Sequence, residues 1–204
     1  MSSLLDLSRR LLALSQTGLH FTHEEYDRER YRELAQIAGE MLALESSMTP
    51  DQLRAAWLVE DGYATPKVDV RGAVFRGDQV LMVQERLDGK WTLPGGWADV
   101  NDSPSRAVEK EIEQESGFTA RAFKLAAVFD RNKHNHPQYL FHVWKMFFLC
   151  EITGGDFRTS YETTAVQFFP VDKLPELSTG RITEAQIQRV YHHYLNQSLP
   201  TEFD

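Results

Sequence analysis

The fold class that this sequence predicts is an α/β/α sandwich around a mixed sheet, with a small all-α module in front of it. Three observations predict it. Residues 1–62 read as helices, with repeated start and stop signals. From Val68 the pattern changes to strands, which flank an acidic helix on both sides in the sequence. A last helix opens at Thr183, so helices are available for both faces of one sheet.

Composition sets the bounds. The chain has 204 residues, enough for one ordinary domain plus an appendage, and its 42% hydrophobic and 25% charged residues are those of a globular protein. A net charge of -8 leaves no basic footprint for general nucleic-acid binding and repels an anionic substrate, so phosphate binding has to rely on metal and local cations. Cys150 is the single cysteine, which excludes an intrachain disulfide and suits a reducing cytoplasm. No signal peptide and no membrane-spanning apolar run is apparent, so a soluble, cytoplasmic protein is expected.

In the helical module, Leu4, Leu5, Leu7, Leu11, Leu12 and Leu14 form an apolar stripe that Thr17-Gly18 is expected to end. Thr22 to Glu25 is a capping-box pattern opening a helix with Tyr26, Leu34, Ile37, Met41 and Leu42 inward. Thr49-Pro50 starts a third helix, with Leu53, Ala56 and Trp57, that Asp61-Gly62 closes. Three helices bury little surface alone, so a homodimer using this module is expected.

The second unit spans 67–204. Val68–Phe75 and Val80–Gln84 form a hairpin through Gly77-Asp78, and Pro94-Gly95-Gly96 forces a tight bend. Ser103-Pro104 then caps a helix that Gly117 ends. Ala122–Asp130, Tyr139–Ile152 and Val166–Val171 read as further strands, and Thr153-Gly154-Gly155-Asp156 as a turn. Thr183 to Gln186 caps the last helix, with Ile182, Ala185, Val190, Tyr191 and Tyr194 inward.

The capped helix carries the chemistry. Glu111 and Glu115 are four apart and share a face, a like-charge spacing that costs a few tenths of a kcal/mol. A divalent cation held by hard oxygen ligands would offset that cost; a solvated acidic face is the alternative. The spacing Gly96, five residues, Asp102, seven residues, then Lys110-Glu111-Ile112-Glu113-Gln114-Glu115-Ser116-Gly117-Phe118 resembles the Nudix box, and Trp91-Thr92-Leu93-Pro94-Gly95-Gly96 resembles the family's lead-in. The family has Glu at Asp102, Arg at Lys110 and Glu at Gln114. Asp102 with Lys110 keeps the signs of a structural ion pair, whereas Gln114 replaces a charged ligand by a neutral amide.

The resemblance covers residues 67–195 and implies the sandwich fold and a magnesium- or manganese-dependent pyrophosphohydrolase. Its metal would be held by Glu111, Glu115 and Gln114, and its catalytic carboxylates would be Glu111, Glu115 and the loop residue Glu162 as general base. The helical module adds a likeness to a bacterial subgroup described as acting on ADP-ribose or CDP-choline. A nucleotide-sugar-binding module with little hydrolysis and a nucleoside triphosphate sanitising enzyme are the alternatives. The substrate-contact candidates are Arg86 at the end of the hairpin and Arg131, Lys133 and His136 in a polar, cationic loop. An exposed edge charge and a solvated loop are the competing readings of these four.

Overall fold

The structure, a computed structural model, describes residues 3–44 and 62–204 and divides the chain into two compact units. The first runs to Pro66 and includes Tyr139–His142; the second comprises Lys67–Gln138 and Val143–Asp204. The expected third helix over 49–62 lies outside the described residues.

In the first unit, helices α1 (Leu4–Phe21) and α2 (Glu25–Ala43) pack on each other. Their seam uses small residues. Ser8 and Ser15 are buried, with hydroxyls turned back onto the Leu4 and Leu11 carbonyls at 2.8 Å each, and Ala38 and Gly39 are buried on α2. Ser3 caps α1 in a capping box with Asp6. The helix does not end at Thr17-Gly18: it continues to Phe21, and the Tyr31 ring occupies the space a side chain at Gly18 would need. The Thr22–Glu25 capping box does not form either. Glu24 is the N-cap and bonds through no side chain, and Tyr26 and Ile37 are exposed rather than inward.

In the second unit, seven strands among the described residues form one mixed sheet: β1 (Lys67–Arg76), β2 (Gln79–Glu85), β3 (Trp91–Thr92), β4 (Phe118–Asp130), β5 (Val143–Gly155), β6 (Thr163–Pro170) and β7 (Glu202–Phe203). β5 lies between β1, to which it is parallel, and β4, to which it is antiparallel. Helix α3 (Pro104–Ser116) covers one face, seating Ala107, Val108 and Ile112 on Val70, Val74, Leu81 and Val83. Helix α4 (Glu184–Leu195) belongs to the other face, where Ile187 and Val190 join Ala73, Phe75, Met82, Phe129 and Phe147. This is the expected sandwich. The Thr183–Gln186 capping box is present, although Ala185 faces solvent.

β5 starts at Val143 rather than Tyr139 and continues through Gly154-Gly155, where a turn was expected. Pairing with Phe118 and Thr119 of β4 carries the strand through them, with Gly155 at a left-handed φ of 80°. The short strand β7, parallel to β4 through Ala127 and Val128, has too few residues to leave an alternating pattern in the sequence.

One feature of the sheet shapes the site. β1 and β2 share only the register pairs Phe75↔Val80 and Arg76↔Gln79 before parting. In the gap, residues 94–98 lie along β1: Gly72 N–H donates to the Pro94 carbonyl (2.9 Å), Val70 N–H to Gly96 (2.8 Å), and Ala98 N–H to Val68 (3.0 Å). Gly95 has φ 144°, and a Cβ there would strike the Val70 carbonyl, so this strap needs glycine.

Beneath the strap sits a buried ion cluster. Asp69 grips Arg71 with both oxygens (2.9 and 2.8 Å) and takes a 2.5 Å hydrogen bond from Lys145 on β5. Burial alone would raise the Asp69 pKa, but Arg71 and then Lys145 outweigh it and hold the carboxyl at about 2. Burial pushes the Lys145 amine down to about 8 despite Asp69. Asp69→Asn would leave two buried cations facing a neutral amide, and we expect it to destabilise the fold by about 3–5 kcal/mol in urea unfolding at neutral pH. Because the folded pKa of Asp69 is depressed, its stabilisation is complete above its ordinary value of 3.8 and is lost as pH falls through about 2. Acid titrations of wild type and variant should therefore converge in that window; parallel curves would show that Asp69 is not the linked group.

Candidate active site

The site is built from the C-terminal half of α3 outward. Ser103 caps the helix by accepting the Arg106 N–H at 3.3 Å, Pro104 opens it, and Gly117 ends it in the left-handed region at φ 79°. Gly117 admits no Cβ, because the Asp156 carbonyl is already there. Lys110 bridges Asp99 (2.6 Å) and Asp102 (3.2 Å), so the expected Asp102–Lys110 pair forms and gains a second acid. That fixes the loop entering α3 to its second turn.

With both ends fixed, the helix face is fixed too. Glu115 points inward and is 4% exposed. One of its oxygens accepts the Gly95 N–H of the strap at 2.9 Å, and its main-chain carbonyl accepts the Thr163 hydroxyl at 2.8 Å. Glu111, one turn back, is half-buried, and its carboxyl lies 3.2 Å from where a Cβ on Gly96 would stand. Gln114 and Glu113 are exposed; Gln114, three residues after Glu111, stands on the neighbouring side of the helix.

Two further acids complete the cluster. Glu85, at the end of β2, is buried and paired with Arg181 at 2.8 Å. Glu162 is exposed on the loop before β6, yet close enough to Glu85 and Glu111 to raise the pKa of both. Burial pushes Glu115 up to about 8; Arg71 and the Gly95 N–H oppose the rise, and Glu111 and Glu85 add to it. Burial likewise raises Glu111, with Arg71 opposing and Glu162 adding.

Among the described residues no group of three or more His, Cys, Asp or Glu is arranged to hold a metal ion. The donor chemistry nevertheless fits a hard divalent cation. Glu111 and Glu115 offer carboxylate oxygens from consecutive turns, and each bears a desolvation cost that a cation would offset. Gln114, exposed and three residues after Glu111, stands beside them with a neutral amide oxygen.

The four substrate-contact candidates are placed differently from one another. The Arg86 guanidinium donates to the carbonyls of Tyr161 (2.7 Å), Ser160 (3.3 Å) and Thr163 (3.5 Å), and its N–H donates to Glu162 (2.8 Å); it clamps the loop that carries Glu162. Arg131 is buried and donates to Pro137 (2.8 Å) and Gly180 (3.2 Å). The ring of His136 donates from Nδ1 to the Thr179 carbonyl at 2.7 Å. Burial lowers its pKa to about 4, so the imidazole is neutral, with the Gln186 side chain beside it. Lys133 is exposed, as Arg86 is, and its side chain holds none of these carbonyls. The loop's cationic residues thus hold backbone, above all the turn at 178–181.

Sequence reasoning missed Asp69, Arg71, Glu85, Lys145 and Arg181. One signal was available: Asp69 and Arg71 are two apart in an otherwise apolar strand, which puts both on the face that continues with Ala73 and Phe75. Charges on an inward face have to be paired.

With this geometry in place, the comparisons with known proteins are specific. Residues 65–190 match the NUDIX domain model, and residues 2–57 match a model described as a UDP-X-like, N-terminal oligomerisation domain. A Bacillus subtilis protein, provisionally named ADP-ribose pyrophosphatase YjhB, is 42% identical over 98% of this chain and 96% of its own. The crystal structure of a UDP-X diphosphatase superposes with a TM-score of 0.66 at 34% identity, covering 98% of both chains. An ADP-ribose pyrophosphatase from Streptococcus suis gives a TM-score of 0.64 at 41% identity over 69% of this chain and all of its own. The chain therefore belongs to the Nudix family of hydrolases.

Proposed function

We propose that this protein hydrolyses the pyrophosphate bond of a nucleoside diphosphate linked to another moiety, of the ADP-ribose or CDP-choline type, with magnesium or manganese. The observation that carries the reading is Glu115, a buried carboxylate anchored by the Gly95 N–H, one turn from Glu111 and beside the loop that bears Glu162. The names borne by full-length relatives, ADP-ribose pyrophosphatase and UDP-X diphosphatase, support the substrate class.

Glu111 and Glu115 would hold the cation, which when bound neutralises phosphate oxygens and lowers the pKa of a coordinated water. The strap keeps the Glu115 carboxylate in one orientation, and the Arg71 charge opposes its protonation. Glu162 is the proposed general base: it is exposed, faces the cluster, and is steadied by Arg86 and Thr163. Arg86, Arg131 and His136 serve the site through the backbone they hold, and Lys133 is the member of that loop left to meet substrate. A reducing cytoplasm suits the single, buried Cys150, and no helix among the described residues is long and apolar enough to cross a membrane.

Residues 67–204 are the proposed hydrolase domain and 1–62 a module through which two copies associate. On α1, Leu7, Leu14 and Phe21 are all exposed at intervals of seven, the spacing of a helix–helix seam. The described family role of this region, oligomerisation, supports the same reading.

Three outcomes are expected. Glu115→Gln should lower pyrophosphohydrolysis by about 100-fold or more, since it removes charge directly from the proposed cation site; activity within a few-fold of wild type would sink the two-carboxylate arrangement. Gln114→Glu should strengthen manganese binding, but only by roughly a few-fold because the residue is solvent-screened, and calorimetric titration would detect it. Light scattering should give the mass of a dimer for the full chain and of a monomer for Leu14→Glu; a monomeric wild type would refute the association.

A further inference from the structure

Arg181 is the basic side chain to which the structure gives a place on the acidic cluster and an edge still open. It is 31% exposed, and its Nε lies 2.8 Å from the buried Glu85 carboxylate. Its Nη1 donates to the Ser178 hydroxyl at 3.3 Å and stands 3.9 Å from Asp88. Nη2 bonds to no described residue, which leaves one edge of a planar fork for a further acceptor.

The turn behind it is held from several sides. Arg181 and Ile182 N–H groups both donate to the Ser178 carbonyl, at 2.8 and 2.9 Å. Arg131 holds the Gly180 carbonyl, His136 holds the Thr179 carbonyl, and the Ser178 hydroxyl donates to Asp88 at 2.7 Å. Arg131 and His136 are therefore spent on the turn that presents Arg181. Glu85, its partner, belongs to the same cluster as Glu115, Glu162 and Arg71.

We propose that Arg181 is a substrate-binding cation of this site, exchanging the Glu85 carboxylate for a phosphate oxygen of the nucleoside diphosphate. The proposal rests on the phosphoanhydride reading above. Guanidinium suits the task because its fork can keep the Ser178 contact while its other edge takes an anionic oxygen. In a chain of net charge -8, an arginine standing among acids also spares an incoming diphosphate part of their repulsion.

The ion pair permits a test of opposite signs. Full-length wild type, Arg181→Gln, Arg181→Lys and Glu85→Gln are titrated calorimetrically with ADP in chelator, so that no metal contributes. Arg181→Gln is expected to weaken ADP binding about 10- to 100-fold, with Arg181→Lys in between. Glu85→Gln is expected to tighten it, since it removes an acid and frees the arginine. If the pair is only a structural tie, both neutral variants weaken ADP alike, and that result overturns the proposal. So does an affinity in Arg181→Gln within twofold of wild type. Failure of the wild type to hydrolyse ADP-ribose or CDP-choline with magnesium would refute the proposed function instead, leaving the ADP titration to judge Arg181 on its own.

Discussion

Arg71 is buried to 3% exposure and has to be satisfied entirely by the protein around it. Asp69 takes two of its N–H groups, and the Leu93 carbonyl, at 3.1 Å, takes a third. That third bond ties the strand to the segment running into Gly95, whose N–H then meets Glu115. A buried cation next to a buried acid is expensive for both unless the geometry is fixed, and here the bidentate grip of Asp69 fixes it. Lys145 anchors Asp69 from β5, so the chain of contacts runs from the middle of the sheet to α3 without passing through solvent. The sandwich supplies the place: only where β1 and β2 part is there room for a strap and a carboxylate between them.

How much of this could be read in advance depends on how local each signal is. Ser103, Pro104 and Gly117 were legible as caps of α3 because capping is decided within one turn. The inward face carrying Glu111 and Glu115 was legible from a spacing of four. The end of α1 was not, since Gly18 answers to the Tyr31 ring of another helix, a contact distant in sequence, and not to a helix stop. The start of β5 was misplaced because aromatic residues at 139–142 mimic strand composition while lying in the other unit. Glu85, Lys145 and Arg181 had no local signal, because their partners are 76 to 96 residues away (145 − 69 = 76; 181 − 85 = 96).

The cationic loop shows a related limit. Its composition marked it for function, yet Arg131 and His136, like Arg86 just after β2, are bonded to carbonyl oxygens. Arginine and histidine hold backbone well, since one planar group can bind several acceptors or a single one in a fixed direction. Arg86 is the clearest case, with three carbonyls of one loop on its guanidinium. A sequence shows that donors are concentrated in a segment; whether they meet ligand or main chain depends on which unpaired carbonyls the fold brings within reach.

The departure at Gln114 can be placed on the same physical footing. On α3 the residues at 111 and 115 are half-buried and buried and those at 113 and 114 are exposed, so the helix has a drier pair of positions and a wetter pair. Charge in the dry pair is amplified by low dielectric, whereas charge in the wet pair is screened within about 10 Å at ordinary salt. Exchanging a carboxylate for an amide at 114 therefore removes charge where it acts least. The same exchange at 115 would remove it beside Arg71 and Gly95, where no water can replace the lost interaction. Substitution at the wet position leaves the network of Asp69, Arg71 and the strap untouched, and that network holds the Glu115 carboxylate whatever residue stands at 114.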